Sequence, residues 1–252
     1  MIELRNLSVG YGRKAVLSGL NARLEPGAVT ALLGVNGCGK STLLKTLDGL
    51  APPLAGQALL EGRERLTAGE RAKLTAYLPQ SRDVPAISAL RLVLHGRFPH
   101  LSVPRRYRDE DWRIARESLA EVGMAAWADA ELTRLSGGQR QKVYLAMLLA
   151  QRTPIVLLDE PTTYLDVACQ LDTWALCRRM AQSGKTVALA THDLQQAVRY
   201  ADQLLVLGGG GLLRAGTPKE ILDSHVLESA FSVSITRCGD RITAIEQKED
   251  ME

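Results

Sequence analysis

Residues 34–42 read Gly34-Val35-Asn36-Gly37-Cys38-Gly39-Lys40-Ser41-Thr42, the pattern Gly-x-x-x-x-Gly-Lys-Ser/Thr, and no other stretch restricts the fold as strongly. The apolar run Val29-Thr30-Ala31-Leu32-Leu33 before it predicts a short buried strand ending at Gly34. A helix is predicted to follow from Lys40, with Leu43, Leu44 and Leu47 on its inner face. That strand–loop–helix context is what the pattern requires. Glycines let backbone N–H groups curl around phosphate oxygens, and the helix N-terminus adds a favourable dipole. Lys40 would then reach the β- and γ-phosphates of a nucleotide, Ser41 would ligate Mg2+, and Thr42 would assist at the α-phosphate. The alternative is an ordinary glycine-rich strand-to-helix turn, which the flanking pattern disfavours.

The rest of the chain is consistent with an α/β protein. Ile2-Glu3-Leu4-Arg5 alternates with period two, Ala15 to Leu24 is broadly apolar with polar breaks, and Pro26-Gly27 signals a turn, so residues 1–33 form a β-rich region. From about Ala89 to Gln151 the spacing is helical, notably Asp111 to Val122, interrupted by the Pro- and Arg-rich stretch Pro99 to Arg108. Strand and helix then alternate: strand Ile155–Leu158, helix Val167–Gln182, strand Thr186–Ala190, helix Leu194–Tyr200, strand Gln203–Leu207. Such alternation implies a parallel sheet with helices on its faces. Gly208 to Gly211 is expected to be a loose, flexible turn, Pro218 to Ser229 one helix, and Gly239-Asp240 the tip of a hairpin before a frayed end, Gln247–Glu252.

Composition excludes several function classes. With 252 residues and a net charge of only +3, the chain lacks the basic footprint of a nucleic-acid binder. Cys38, Cys169, Cys177 and Cys238 are too dispersed for a zinc ribbon or a disulfide framework and suit a reducing compartment. No apolar run approaches the ~20 residues needed to span a bilayer. The N-terminus lacks a signal-peptide layout. The expectation is a soluble chain whose membrane role, if any, comes through a partner.

Two further motifs carry chemistry. Ile155-Val156-Leu157-Leu158-Asp159-Glu160 is a buried strand ending in two carboxylates. Asp159 could hold Mg2+ directly or through water, and Glu160 could polarise a water for in-line attack on a γ-phosphate. Alone this is a weak signal, since a solvated carboxylate pair would look the same; beside the glycine-rich loop it is strong. Leu135-Ser136-Gly137-Gly138-Gln139 precedes a helix of apolar periodicity, Val143 to Leu149. Ser136 can cap that helix while the glycines leave its N-terminal N–H groups accessible, a second anion-binding helix end. A plain capped Ser-Gly-Gly loop is the alternative for the pentapeptide taken by itself.

These motifs, in this order, make the chain resemble the ABC ATPases over nearly its whole length. The resemblance implies a P-loop NTPase (RecA-like) core with an N-terminal antiparallel β region and an inserted helical subdomain. The expected boundaries are one domain over 1–252, with 1–82 and 152–252 as core and 83–151 as the helical part. It implies a homodimer of cassettes assembled head to tail, each Mg2+·ATP lying between one glycine-rich loop and the partner's Ser136, Gly137 and Gly138. Tyr11 resembles the aromatic residue that stacks on adenine, with a partly buried strand-end tyrosine as the less favoured alternative. Gln80 in Tyr77-Leu78-Pro79-Gln80 resembles the glutamine that senses Mg2+ and links core to helical subdomain. His192 in Thr191-His192-Asp193 resembles the histidine that contacts the γ-phosphate, and Asp166 the aspartate that crosses the dimer interface.

The Asn-Gly-Cys-Gly loop, Pro161-Thr162-Thr163-Tyr164-Leu165-Asp166 and Gly96-Arg97-Phe98-Pro99-His100 are similar to importers of ferric siderophores, haem and cobalamin. That resemblance implies membrane permease subunits, a separate substrate-binding protein, and a place on the cytoplasmic face of the inner membrane. Another importer class, an exporter, or a non-transport ABC ATPase stays open at this level. Arg105-Arg106-Tyr107-Arg108 reads as a solvated loop rather than a nucleic-acid patch. Trp112, Trp127 and Trp174 are expected to pack, Cys169 and Cys177 to be buried thiols, and Cys38 to carry a favoured thiolate whose alkylation excludes phosphate.

Overall fold

In the computed structural model, which describes residues 1–247, every second residue of the central strands points to the same side of one sheet. In β3 (Val29–Leu33), Val29, Ala31 and Leu33 join one apolar cluster and Leu32 joins another on the opposite face. Three later strands, Ile155–Asp159, Thr186–Ala190 and Gln203–Gly208, divide their side chains in the same way. A strand buried on both faces has no polar side to alternate with, which is why these segments read as continuous apolar runs.

Before β3, β1 (Ile2–Tyr11) and β2 (Lys14–Leu24) pair antiparallel. After it come α1 (Lys40–Asp48), β4 (Ala55–Leu60), α2 (Ala68–Leu74) and β5 (Thr75–Leu78). Then follow α3 (Ala89–His95), α4 (Asp109–Glu121) and α5 (Gly137–Gln151), and β6 (Ile155–Asp159), α6 (Val167–Gln182), β7 (Thr186–Ala190), α7 (Leu194–Tyr200) and β8 (Gln203–Gly208). The chain continues with β9 (Gly211–Gly216), α8 (Pro218–Asp223), α9 (Val226–Phe231), β10 (Val233–Cys238) and β11 (Arg241–Gln247). The main sheet has the order β5-β6-β7-β3-β8-β9, parallel except for the antiparallel last pair. A three-stranded antiparallel sheet, β2-β1-β4, covers one face across α1, closing the cluster that holds Leu7, Leu20, Leu43 and Leu47. Burying one such leucine contributes about 1.5–3 kcal/mol. The other cluster runs from the opposite face of the sheet into α3, α4 and α5.

Several expectations need correction. Pro218–Ser229 is two helices, broken where His225 takes φ 54°. The Ser224 hydroxyl donates to the Ile221 carbonyl and so competes with the helical ladder, and the kink lets Ile221, Leu222 and Leu227 all bury. Gly208–Gly211 is not loose: Gly208 pairs with Gly211 in a two-residue hairpin, with positive φ at Gly209 and Gly210. Its tip is held by the Ser18 N–H donating to the Gly210 carbonyl at 2.8 Å. Trp174 is buried, but Trp127 is nearly half exposed. Cys169 is only partly buried, whereas Cys177 is fully enclosed and burial pushes its thiol up to about 12. The frayed end expected over Gln247–Glu252 lies, apart from Gln247 in β11, outside the described residues. Among the described residues no helix is long and apolar enough to cross a membrane.

Candidate active site

β3 and α1 deliver the glycine-rich loop at the carboxyl end of the parallel strands, where open α/β sheets bind ligands. The loop is dense. A Cβ on Gly34 would lie 2.5 Å from the Leu207 carbonyl oxygen and 2.6 Å from the Cys38 sulfur. Gly39 has φ 109° and a Cβ there would strike Leu17 at 2.8 Å. With Gly39 as N-cap there is no side-chain cap, so the first N–H groups of α1 are left for an external acceptor. Lys40 is buried and folds back on the loop, its ammonium donating to the Gly34 carbonyl at 2.6 Å and the Val35 carbonyl at 3.2 Å.

The carboxylates come from the end of β6. Asp159 is buried and accepts from Ser41 Oγ at 2.9 Å and from the Tyr77 hydroxyl at 3.1 Å. Burial pushes its carboxyl above the usual range against the pull of those two donors. Burial, with the neighbouring Asp159 charge, likewise pushes the Tyr77 phenol up, keeping it a donor. Ser41 and Asp159 thus form a pair of hard oxygen ligands suited to a small divalent cation that takes its other ligands from phosphate and water.

Glu160 sits at φ 49°, a left-handed conformation that costs a side-chain-bearing residue about 1–3 kcal/mol. Its N–H donates to the Ala190 carbonyl at 3.1 Å, the last rung of the parallel β6–β7 ladder, so the backbone is anchored at the strand end. Gln80 Nε2 and Thr163 Oγ1 donate to Glu160 Oε2 at 2.8 and 3.1 Å, and His192 Nδ1 lies 3.7 Å from the same oxygen.

A cleft of about 700 Å³ brings together Tyr11, Asn36, Gly37, Gly39, Lys40, Ser41, Thr42, Gln80, Glu160 and His192. Tyr11 stands at its rim, 57% exposed, with its hydroxyl 3.5 Å from Thr42 Oγ1. Gly34 and Cys38 do not line the cleft. Cys38 packs behind the loop against the apolar cluster under β2, its N–H bonded to the Val35 carbonyl, so a group added to its sulfur would disrupt the loop rather than occupy the phosphate position. Asp159 lies beneath the cleft, reaching it through Ser41.

Ser136, Gly137, Gly138, Gln139 and Asp166 are also outside this cleft. Ser136 caps α5 in a reciprocal box with Gln139, 3.2 Å to the Gln139 N–H and 2.9 Å back to its own. Asp166 caps α6 through the Cys169 N–H at 2.8 Å; that bond holds its carboxyl below the usual range. The cleft also includes Val16, Thr163 and Tyr164; the last two belong to the Pro161–Asp166 motif, where sequence reasoning gave neither a place in the nucleotide cleft. For Val16 the only signal was its nearness to Tyr11 along the chain. The Gly96–His100 segment is structural. Arg97, buried, donates to Asp111 Oδ1 at 3.0 Å and to the Ala150 carbonyl at 2.8 Å, and His100 Nε2 lies 2.8 Å from the Gln151 carbonyl.

The family model described as ABC transporter matches residues 17–163. The iron(3+)-hydroxamate import ATP-binding protein FhuC of Bacillus subtilis is 40% identical over 236 residues, covering 92% of this chain and 88% of that one. The ferric enterobactin transport ATP-binding protein FepC of Escherichia coli is 39% identical over 231 residues, covering 90% and 85%. Among solved structures, a chain of a metal-chelate type ABC transporter in an inward-facing conformation superposes with a TM-score of 0.82 at 30% identity, covering 97% of this chain and 95% of that one.

Proposed function

The chain belongs to the ABC transporter family, and from that premise we propose that it is the ATP-hydrolysing subunit of an importer of iron chelates of the siderophore class. One observation carries the chemistry: the Glu160 carboxylate faces the same cleft as the loop that holds Lys40 and the free N–H groups of α1. Tyr11 stacks on the adenine at the rim. The α1 N–H groups and Lys40 bind the phosphates, and Glu160 takes the proton of the attacking water while Lys40 and His192 stabilise charge on the γ-phosphate. Ser41 and Asp159, with Gln80 nearby, would hold Mg2+, which would supply charge neutralisation to the phosphates.

Two copies act together. Ser136, Gly137 and Gly138 lie outside the cleft of their own chain, which supports their acting on the nucleotide of a second copy. Tyr164 is fully exposed and Val167 is 67% exposed beside Asp166, an apolar edge suited to that interface. A groove of about 650 Å³ between α1, α2 and α5, with Leu50, Pro52, Pro53 and Leu66 on its wall, suits a helix from a membrane permease. Its floor includes Tyr77, which bonds Asp159. The chain would then work at the cytoplasmic face of the membrane, with a separate substrate-binding protein delivering cargo.

The test is uptake. Cells lacking this chain should lose accumulation of ferric hydroxamate or catecholate labelled with radioactive iron, and regain it with the wild-type chain but not with Lys40→Ala. Unchanged uptake of every iron chelate, with loss of cobalamin uptake or of drug efflux instead, would replace the cargo assignment.

A further inference from the structure

The most connected buried amide outside the cleft belongs to Gln141, on the second turn of α5. Its Oε1 accepts from Arg82 Nη2 at 2.7 Å, and its Nε2 donates to the Pro161 carbonyl at 2.7 Å. Arg82 follows Gln80 by two residues, and Pro161 follows Glu160 directly. Residues 80–82 and 160–161 are therefore joined twice: directly, by Gln80 to Glu160, and through the body of α5, by Arg82 to Gln141 to Pro161. Arg82 is held in place by stacking 4.5 Å over the Tyr144 ring, and the Tyr144 hydroxyl donates to the Asp83 carbonyl at 2.7 Å.

We propose that Gln141 is a positioning residue that transmits movement of the Ser136–Gly138 helix end to the Glu160 carboxylate of the same chain. Gln141 lies five positions after Ser136, the N-cap of the same continuous helix, so the helix end and the amide move as one body. The bond to Pro161 is buried and cannot be exchanged for water, so a rotation of α5 must carry Pro161 with it or break that bond, and it pulls on the partly buried bond to Arg82 as well. Pro161 is also an effective lever. Its fixed φ stiffens the peptide after Glu160, and the Glu160 N–H is anchored to Ala190, so displacement at the Pro161 carbonyl is taken up by reorienting Glu160. This inference rests on the proposed role of Glu160, and extends it by stating how engagement of a second copy's nucleotide at Ser136–Gly138 would reach the carboxylate of this chain.

The test uses the full chain and steady-state ATP hydrolysis over a range of ATP concentrations. Gln141→Met removes both bonds at nearly constant volume. Gln141→Glu keeps the acceptor for Arg82 but loses the donor to Pro161. Arg82→Met leaves the Pro161 bond in place. Both Gln141 variants should lower kcat about tenfold while KM for ATP changes less than about twofold, because binding residues are untouched. Arg82→Met should lose about threefold, and the double variant Arg82→Met/Gln141→Met should be no slower than Gln141→Met alone, since Arg82 acts through Gln141. If Gln141→Met fails to fold, Gln141→Glu carries the same comparison. Folded variants with wild-type kcat, or with losses that track a lowered Tm or a raised KM, would overturn the proposal. A wild-type chain that hydrolyses no ATP would instead overturn the functional reading on which it rests.

Discussion

Gln80 Nε2 donates to Glu160 Oε2 at 2.8 Å, joining two side chains eighty positions apart so that the proposed base is already oriented by the proposed sensor. An amide at position 160 can still pair with Gln80 and with Thr163, so Glu160→Gln keeps the shape of the cleft and removes only the basicity. We expect this variant to bind ATP with near wild-type affinity while phosphate release falls by about two to four orders of magnitude, the usual worth of a positioned general base. Turnover at the wild-type rate would remove Glu160 from that role.

Asp159 carries its charge in a buried place, and burial raises its carboxyl above the ordinary 3.8 despite bonds from Ser41 and Tyr77. A group whose folded pKa is raised binds protons better in the folded state, so its contribution to stability falls as pH rises from 3.8 through the folded value. Asp159→Asn removes the charge but keeps an acceptor for Ser41. Without nucleotide, the variant should therefore melt higher than wild type at neutral pH, with the difference shrinking as pH is lowered towards 4, while its ATPase activity is lost. Thermal melts from pH 4 to 8 read this directly; a difference that grows on acidification contradicts the assignment.

Gly137 and Gly138 should separate stability from catalysis. A Cβ on Gly138 would lie 2.6 Å from the Cys169 sulfur, whereas one on Gly137 meets nothing within 4 Å of its own chain. Gly138→Ala should lower Tm by an amount equivalent to about 1–3 kcal/mol of overpacking, and Cys169→Ala in the same chain should restore most of it. Gly137→Ala should leave Tm unchanged but depress ATP hydrolysis if, as proposed, the space it fills takes a second copy's nucleotide. Gly137→Ala with full activity would argue against that use of the helix end.

How much of this was legible depended on whether the information is local. β3, the glycine-rich loop and α1 could be read because strand pattern, loop chemistry and helix periodicity occur in one continuous stretch. β4, α2 and β5 carried no clear signal: β5 is four residues long and α2 buries none of its seven, so neither period has room to register. The apolar spacing of Pro218–Ser229 continues across Ser224 and His225, which hides a break made by a side-chain hydroxyl and a left-handed residue. Within the site, motif residues could be found, but that Thr163 and Tyr164 of the Pro161–Asp166 motif line the cleft was not legible, because it depends on the chain path after Glu160 at φ 49°. Pairings between distant segments, such as Gln141 with Pro161, leave no periodic trace at all.

The Gly96–His100 segment, read from sequence as a mark of cargo class, is a clamp on the helical region, and its stability should depend on pH in the opposite sense to Asp159. Arg97 and Asp111 are both buried and paired at 3.0 Å, with the second arm of Arg97 on the Ala150 carbonyl at the end of α5. Burial pushes the Asp111 carboxyl up, but the Arg108 N–H and the Arg97 guanidinium outweigh it and hold the group below the ordinary 3.8. A lowered folded pKa means that this pair stabilises the fold above the ordinary value and is lost as pH falls through the folded one. Asp111→Ala leaves a buried guanidinium with no counter-charge, and should cost about 3–5 kcal/mol in urea unfolding at neutral pH. Arg97→Met/Asp111→Leu buries no charge and should cost clearly less than Asp111→Ala alone. If the double variant is as unstable as the single one, the penalty comes from lost packing rather than from a stranded charge.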